Sequence, residues 1–106
     1  MGTSVVTRGD VCWMERPSEK GRPVVVITRD GANAVLRRVV VAPITTTLRS
    51  APSQLALGEA EGLYADSVAN FDSLMTVPKS YLTRRMGSLG PRLDEMCATL
   101  KAMADC

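Results

Sequence analysis

Two segments of this chain are almost wholly apolar and β-branched: PVVVIT at residues 23–28 and VVVAPI at residues 39–44. Runs of this length and composition predict strands that are buried on both faces. Pro43, near the end of the second run, predicts an edge position or a strand end, because proline has no N–H to donate to a neighbouring strand. The two runs indicate a sheet at the centre of a small domain.

Shorter apolar segments extend this sheet in both directions. Five of them are predicted to be short strands, at residues 11–14, 54–57, 67–71, 74–77 and 86–89. Residues 58–66 contain two glycines and three acids and predict a loop, whereas residues 79–82 predict a single helical turn. Five to seven short strands in about 100 residues are typical of a small, mainly antiparallel barrel or half-barrel.

The last element of the chain is a predicted amphipathic helix over residues 91–104. Pro91 suits the first helical position, and Asp94 and Glu95 suit the positive end of the helix dipole. One apolar face follows helical spacing, at Leu93, Met96, Cys97, Leu100 and Ala104. Residues 1–7 are predicted to be a loose leader. A single domain is expected to account for residues 1–106.

The composition excludes several kinds of chemistry. The 106 residues include no histidine, which removes the commonest general acid and base, the usual nucleophilic triads and imidazole zinc sites. The three cysteines, Cys12, Cys97 and Cys106, are widely spaced and predict reduced thiols in a cytoplasmic protein. We expect no metal and no cofactor, and no apolar run approaches the roughly 20 residues that span a bilayer.

Positive charge is concentrated in the first half of the chain. Residues 1–50 hold eight basic and four acidic side chains, whereas residues 51–106 hold five basic and seven acidic ones. A basic half suits a polyanion such as a nucleic acid. It equally suits an acidic partner protein, or a surface that is merely solvated.

Four polar side chains are candidates for chemistry. Arg22 joins a polar loop to a buried strand, where its planar guanidinium can face a phosphate or can simply lie in water at the rim. Thr45 follows the second β-branched run, and its hydroxyl can donate to an oxyanion or serve an ordinary turn. Glu19 lies in the first polar loop, and Asp72 comes directly after the predicted strand 67–71. Each can accept a proton or be a surface acid.

Four short motifs occur in a fixed order along the chain. They are RGDV at residues 8–11 followed by Trp13, GRPVVVI at 21–27, VVVAPIT at 39–45, and DSVANFD at 66–72 followed by Thr76. In this order and spacing, from residue 8 to the C-terminal helix, they resemble the MazF/PemK family of toxin ribonucleases.

The resemblance implies a fold and a set of partners. The fold would be a small SH3-like β-barrel of the MazF/Kid/CcdB type with a C-terminal helix. The protein would be a two-fold homodimer that binds single-stranded RNA along the dimer face and is covered there by an acidic MazE-like antitoxin. It would cut RNA selectively and without metal, leaving a 2′,3′-cyclic phosphate and a 5′-hydroxyl, and so inhibit translation and growth.

The resemblance also assigns roles to particular residues. The family's catalytic arginine and threonine correspond to Arg22 and Thr45, and its candidate acids to Glu19 and Asp72. Further RNA contacts are expected from Lys20, Thr46, Arg49, Ser67 and Asn70.

The chain also departs from the family at two positions. Met75 stands where many members have arginine, and Asn70 stands where at least one member has an arginine proton donor. These two changes bear on base preference and on catalytic power.

Two other functions remain compatible with the sequence. The same barrel in CcdB-type toxins inhibits gyrase without cutting RNA, although the last residues of this chain do not match that activity in an obvious way. A basic RNA-binding domain without toxicity is the other alternative, but the chain has only four aromatic residues on which bases can stack.

Overall fold

The computed structural model describes residues 6–29, 37–47 and 52–103. The described residues form one α-helix, α1 (Leu93–Met103), and seven strands. The strands are β1 (Asp10–Met14), β2 (Arg22–Val26), β3 (Arg38–Thr45), β4 (Gln54–Leu57), β5 (Ser67–Asn70), β6 (Met75–Pro78) and β7 (Leu82–Ser88). Four single 3-10 turns lie between them, at Glu59–Glu61, Phe71–Ser73, Lys79–Tyr81 and Gly90–Arg92.

All the strand pairs are antiparallel, in the order β4-β5-β3-β2-β1-β7, and β6 pairs with β3. The sheet curves so that β7 meets the turn after β4. There Gly62 and Gly87 lie so close that a side chain on either would collide with the backbone of the other segment. The prediction of a small, mainly antiparallel β fold with a C-terminal helix is confirmed.

Both faces of the central strands are buried, which confirms the interpretation of the first β-branched run. In β2, Val24 and Val26 point into one apolar cluster, and Val25 into the other, together with Ile27 just beyond the strand. Successive residues of a strand point to opposite faces, so a strand between two cores has to be apolar throughout. The helix covers the second of these clusters through Met96, which is fully buried.

The prediction that Pro43 lies at an edge or a strand end is wrong. Strand β3 is interior: it pairs with β2 on one side, and on the other side it pairs first with β6, through Val41, and then with β5, from Ile44. Pro43 falls in the gap between these two partners. A missing N–H can be accommodated there without breaking a continuous ladder.

Some predicted boundaries shift by a few residues. The last part of the predicted loose leader is attached, because Val6 is buried and the Thr7 N–H donates to Asp10 Oδ2 at 2.9 Å. The predicted strand 67–71 ends at Asn70, where a 3-10 turn begins. The predicted helix opens with a 3-10 turn and becomes α-helical at Leu93; Ala104 and Cys106 lie outside the described residues.

The acidic loop between β4 and β5 is more ordered than its composition suggests. Glu61 is buried, and its carboxylate accepts a hydrogen bond from the Gly58 N–H at 2.7 Å and pairs with Arg92 at 3.3 Å. Arg92 also contacts Glu95 at 3.0 Å. The loop is therefore tied to the start of the helix through a buried carboxylate.

None of the helical segments in the described parts of the chain has the length and apolarity needed to cross a bilayer.

Candidate functional site

Arg22 and Thr45 are brought together by the pairing of β2 with β3. The two strands pair Val24 with Pro43 and Val25 with Ala42. Continued by two residues, this register places Arg22 opposite Thr45, at the first position of β2 and the last position of β3. Residues opposite each other in an antiparallel pair point to the same face, so the two side chains are neighbours at one end of the sheet.

A groove of about 550 Å³ opens at this end of the sheet. The described residues that line it are Arg22, Pro23, Pro43, Ile44, Thr45, Thr46, Thr47, Gln54, Ser67, Asn70 and Ser73. Arg22 is the one charged side chain in that group, and it is exposed. Its described lining therefore combines a single positive charge with hydroxyl and amide groups, a set that suits a phosphodiester and its bases.

The hydroxyl of Thr45 is oriented by the loop that follows it. Its Oγ1 accepts a hydrogen bond from the Thr47 N–H at 3.2 Å. The oxygen is thus engaged as an acceptor, and the hydroxyl hydrogen remains to be donated. Beside Arg22, this donor can bind an oxygen of the same anion.

Arg22 is held in place by the packing of the residue before it. Gly21 lies against the indole of Trp13, so closely that a Cβ at this position would collide with the ring. The indole is fixed in turn, because its Nε1–H donates to Glu15 Oε2 at 3.1 Å and the guanidinium of Arg84 lies 5.9 Å from the ring centroid. The loop therefore enters β2 along a defined path.

The far side of the groove is built by β4 and β5. Gln54 and Asn70 are direct partners across this strand pair, and both line the groove. Asn70 Oδ1 accepts a hydrogen bond from the Asp72 N–H at 3.0 Å and caps the 3-10 turn that follows. Ser67 is buried, with its hydroxyl donating to the Ala65 carbonyl at 2.9 Å.

Five of the residues proposed from the sequence lie together in this groove, namely Arg22, Thr45, Thr46, Ser67 and Asn70. Gln54 and Ser73 were not foreseen. Gln54 opens the short strand QLAL, where nothing local distinguishes it from any polar residue at a strand start. Its role in the lining follows only from its partner Asn70.

Three proposed residues lie outside the groove lining, and one is not described. Glu19 is exposed and pairs with Arg16 at 3.3 Å, and its neighbour Lys20 is also exposed. Asp72 is flanked by two lining residues, but its Oδ2 accepts a hydrogen bond from Ser53 Oγ at 2.5 Å. Arg49 lies outside the described residues. The roles given to these four residues, like those of the five in the groove, stay predictions.

Within residues 6–29, 37–47 and 52–103, no three cysteine or carboxylate side chains come together in a group that could hold a metal ion. Cys12 and Cys97 are free thiols. Burial raises the pKa of the Cys12 thiol from its ordinary value of 9.0 to about 11, assisted by the nearby negative charge of Asp10 and opposed by Arg85.

The fold and the groove define a class of protein: a small antiparallel β domain that presents one guanidinium and several neutral hydrogen-bonding groups to an extended anion. Comparisons with known proteins identify the family. Residues 7–104 match the model of the PemK-like, MazF-like toxins of type II toxin–antitoxin systems. The chain belongs to this family.

Individual relatives span the whole chain. It is 38% identical to the probable endoribonuclease MazF5 of Mycobacterium tuberculosis, covering 98% of this chain and 97% of the relative. It is 39% identical to the probable endoribonuclease MazF2 of the same species, over 93% of this chain and 98% of the relative.

Solved structures have the same fold. The M. tuberculosis toxin MazF-mt6 superposes with a TM-score of 0.81 at 29% identity, covering 91% of this chain and 96% of that one. A mycobacterial endoribonuclease in complex with its cognate antitoxin superposes with a TM-score of 0.82 at 24% identity, covering 93% and 94%. At that identity the second likeness establishes the fold alone.

Proposed function

We propose that this protein is a sequence-selective endoribonuclease that cuts single-stranded RNA and acts as the toxin of a toxin–antitoxin pair, inhibiting translation and growth. The observation that carries the proposal is the placement of Arg22 opposite Thr45 in one groove. The names of the full-length relatives, which are probable endoribonucleases, support the same reaction.

RNA supplies its own nucleophile. The ribose 2′-oxygen attacks the adjacent phosphorus, the bond from phosphorus to the 5′-oxygen breaks, and the products are a 2′,3′-cyclic phosphate and a 5′-hydroxyl. One proton leaves the 2′-hydroxyl and one is gained by the departing 5′-oxygen. The protein has to orient the chain and stabilise the negative charge that accumulates on the phosphoryl oxygens.

Arg22 and Thr45 fit the charge-stabilising task. A guanidinium stays protonated at any physiological pH and offers two parallel N–H donors to phosphoryl oxygens. The Thr45 hydroxyl, engaged as an acceptor by Thr47, donates to the same group. Preorganised donors of this kind usually provide the largest single contribution to catalysis.

The base that removes the 2′-proton is proposed to be Asp72 or Glu19. Asp72 is the better placed of the two, because it lies between the groove residues Asn70 and Ser73. Its use as a base would require its carboxylate to exchange the Ser53 hydroxyl for the ribose hydroxyl. For Glu19 to be the base, its carboxylate would have to exchange its contact with Arg16 for one with the ribose hydroxyl.

The proposed reaction uses no metal, because the attacking 2′-hydroxyl belongs to the substrate and needs no metal-activated water. DNA lacks the 2′-hydroxyl and is expected to remain intact. Single strands are expected to be preferred over duplexes, because the edges of unpaired bases are accessible to side chains.

Two partners belong to the proposal. The first is a second copy of this chain, so that RNA lies along a groove shared by two protomers. The second is an acidic MazE-like antitoxin that covers the groove; a relative of the same fold is described as an endoribonuclease in complex with its cognate antitoxin. The alternative of gyrase inhibition is not favoured, because the family model that matches is that of the PemK-like and MazF-like toxins.

The test is the cleavage of single-stranded RNA by Arg22→Ala protein in the presence of EDTA. Because Arg22 is exposed, the variant should fold normally, and its rate should fall by about 100- to 1,000-fold. Arg29→Ala removes another exposed arginine, outside the groove lining, and should cut at the wild-type rate. Full activity of Arg22→Ala would refute the assigned chemistry, and gyrase inhibition without RNA cleavage would replace it.

A further inference from the structure

Resting on the proposed function, we propose that Asn70 selects the base next to it, favouring bases that carry an oxygen at pyrimidine C4 or purine C6, uracil or guanine, over those that carry an amino group there, cytosine or adenine. The side chain of Asn70 makes a hydrogen bond within the protein. Asn70 Oδ1 accepts from the Asp72 N–H at 3.0 Å.

That hydrogen bond fixes which end of the amide faces the ligand. A primary amide carries an acceptor oxygen on one side and two N–H donors on the other. With the oxygen turned to the backbone of the 3-10 turn Phe71–Ser73, the N–H2 half is the part of Asn70 left for a ligand in the groove. Asn70 therefore presents the donors of its amide nitrogen to the groove.

The cap also prevents the amide from adapting to a different base. If the side chain flipped by 180°, its N–H2 group would face the Asp72 N–H, donor against donor, and the turn would lose its cap. An asparagine whose side chain is free can rotate to present its donor or its acceptor to a base, and in a bidentate contact with adenine it presents both. Asn70 lacks that choice, because the loss of a cap destabilises a helical segment.

The position of Asn70 makes base recognition the natural use of this donor. It faces Gln54 across β4 and β5, on the side of the groove away from the β2 end that carries Arg22. With the phosphodiester at Arg22 and Thr45, the neutral wall formed by β4 and β5 is left for a base. Uracil and cytosine have the same shape and differ on one edge: at C4 uracil presents an oxygen and cytosine an amino group, and at N3 uracil presents an N–H and cytosine a bare nitrogen.

The experiment measures cut-site preference in a random-sequence single-stranded RNA pool. Cut ends are sequenced, and the ratio of uracil to cytosine is compared at each position near the cut for wild type and variants. Wild type should favour uracil over cytosine by about tenfold at one position, the factor that one hydrogen bond of about 1.4 kcal/mol supplies.

Asn70→Asp is the decisive variant. Its carboxylate still accepts from the Asp72 N–H, so the cap is kept, but the donors are replaced by an acceptor. An acid accepts from the cytosine amino group, so the preference at that position should reverse toward cytosine. Asn70→Ala should bring the ratio close to one.

Ser73→Asp is the matched control for charge. It places a carboxylate in the groove lining while leaving Asn70 intact, so overall cleavage should weaken with an unchanged uracil-to-cytosine ratio. Circular dichroism and thermal melting verify that each variant is folded.

Binding separates the two proposals. Paired oligonucleotides that carry 2′-deoxyribose at the cut site and differ only in uracil or cytosine report the preference without cleavage. If wild type neither cuts nor binds RNA, the proposed function fails and the inference fails with it. If wild type cuts RNA but Asn70→Asp has the wild-type ratio at every position, the inference alone is overturned.

Discussion

Arg22 lies opposite Thr45 at the last position where β2 and β3 face each other, beyond the paired residues Val24 and Pro43. The two residues are 23 positions apart in the chain, yet the register of two strands is enough to bring them together. Register is specified here, since a slip by one residue would exchange the valines of β2 between the two apolar clusters and turn Arg22 to the other face of the sheet. The same apolar core that stabilises the sheet therefore fixes the spacing of the guanidinium and the hydroxyl.

Removing the Thr45 hydroxyl should slow RNA cleavage without changing the fold. Thr45→Val keeps the shape of the side chain but cannot donate to a phosphate oxygen, and a hydrogen bond to a charged group contributes about 1.5–3 kcal/mol. We expect the rate to fall by about 10- to 100-fold, measured on single-stranded RNA in EDTA. Thr45→Ser retains the donor and should keep most of the activity; equal rates for Thr45→Val and wild type would contradict the assignment.

Gly21→Ala should damage both stability and cleavage, although residue 21 lies outside the groove lining. The added methyl group would collide with the indole of Trp13, so the loop before Arg22 has to move. Overpacking of this kind typically costs about 1–3 kcal/mol, measured by chemical denaturation.

The collision can be verified with a second substitution. Trp13→Leu removes the ring that an alanine at position 21 would meet. The double variant should therefore be more stable than the sum of the two single effects predicts. Strictly additive losses would show that Trp13 and Gly21 do not constrain each other.

Much of the fold could be predicted from the sequence, because its signals are local. The β-branched run before Thr28 and the helical spacing of Met96 and Cys97 each reflect how a segment meets the core. Pro43 shows where local reasoning stops. An interior strand excludes proline only where it has a continuous partner on each side. Strand β3 changes partner from β6 to β5 around Pro43, so proline is tolerated there although the strand is not at an edge.

The site was predicted only in part, because some of its residues are brought together by contacts between distant segments. Arg22, Thr45 and Asn70 belong to motifs, whereas Gln54 enters the groove only through its pairing with Asn70. The burial of Glu61 was missed, since an acidic loop normally faces water and its partner is 31 positions away in the chain. Contacts between distant segments leave no periodic pattern in the sequence.

Arg92→Met should destabilise the protein by about 1–3 kcal/mol, because it leaves the buried carboxylate of Glu61 without its ion pair. The free energy of unfolding is measured with urea. Glu95→Gln removes only the exposed contact of the same arginine and should have a smaller effect. The double variant Glu61→Gln/Arg92→Met should lose less than Arg92→Met alone; an equal or larger loss would mean that the ion pair does not satisfy the buried acid.

The Cys12 thiol should make the protein less stable in alkali. Burial raises its pKa in the folded state to about 11, against 9.0 for an ordinary thiol, so between pH 9 and 11 the unfolded chain ionises while the folded chain stays protonated. The unfolded state then binds fewer protons, and the free energy of unfolding falls as the pH rises through this interval. Above about pH 11 both states are ionised and this decline ends.

Cys12→Ala isolates that effect, because every other titrating group is shared by the two proteins. Urea unfolding of wild type and variant from pH 8 to 11 should show the stability of wild type declining relative to that of Cys12→Ala. A thiol reagent at pH 8, with labelled sites located by mass spectrometry, should modify Cys12 slowly in the folded protein and rapidly in urea, since the residue is only 2% exposed. A constant stability difference across this pH range, together with fast labelling of the folded protein, would show that Cys12 is accessible to water.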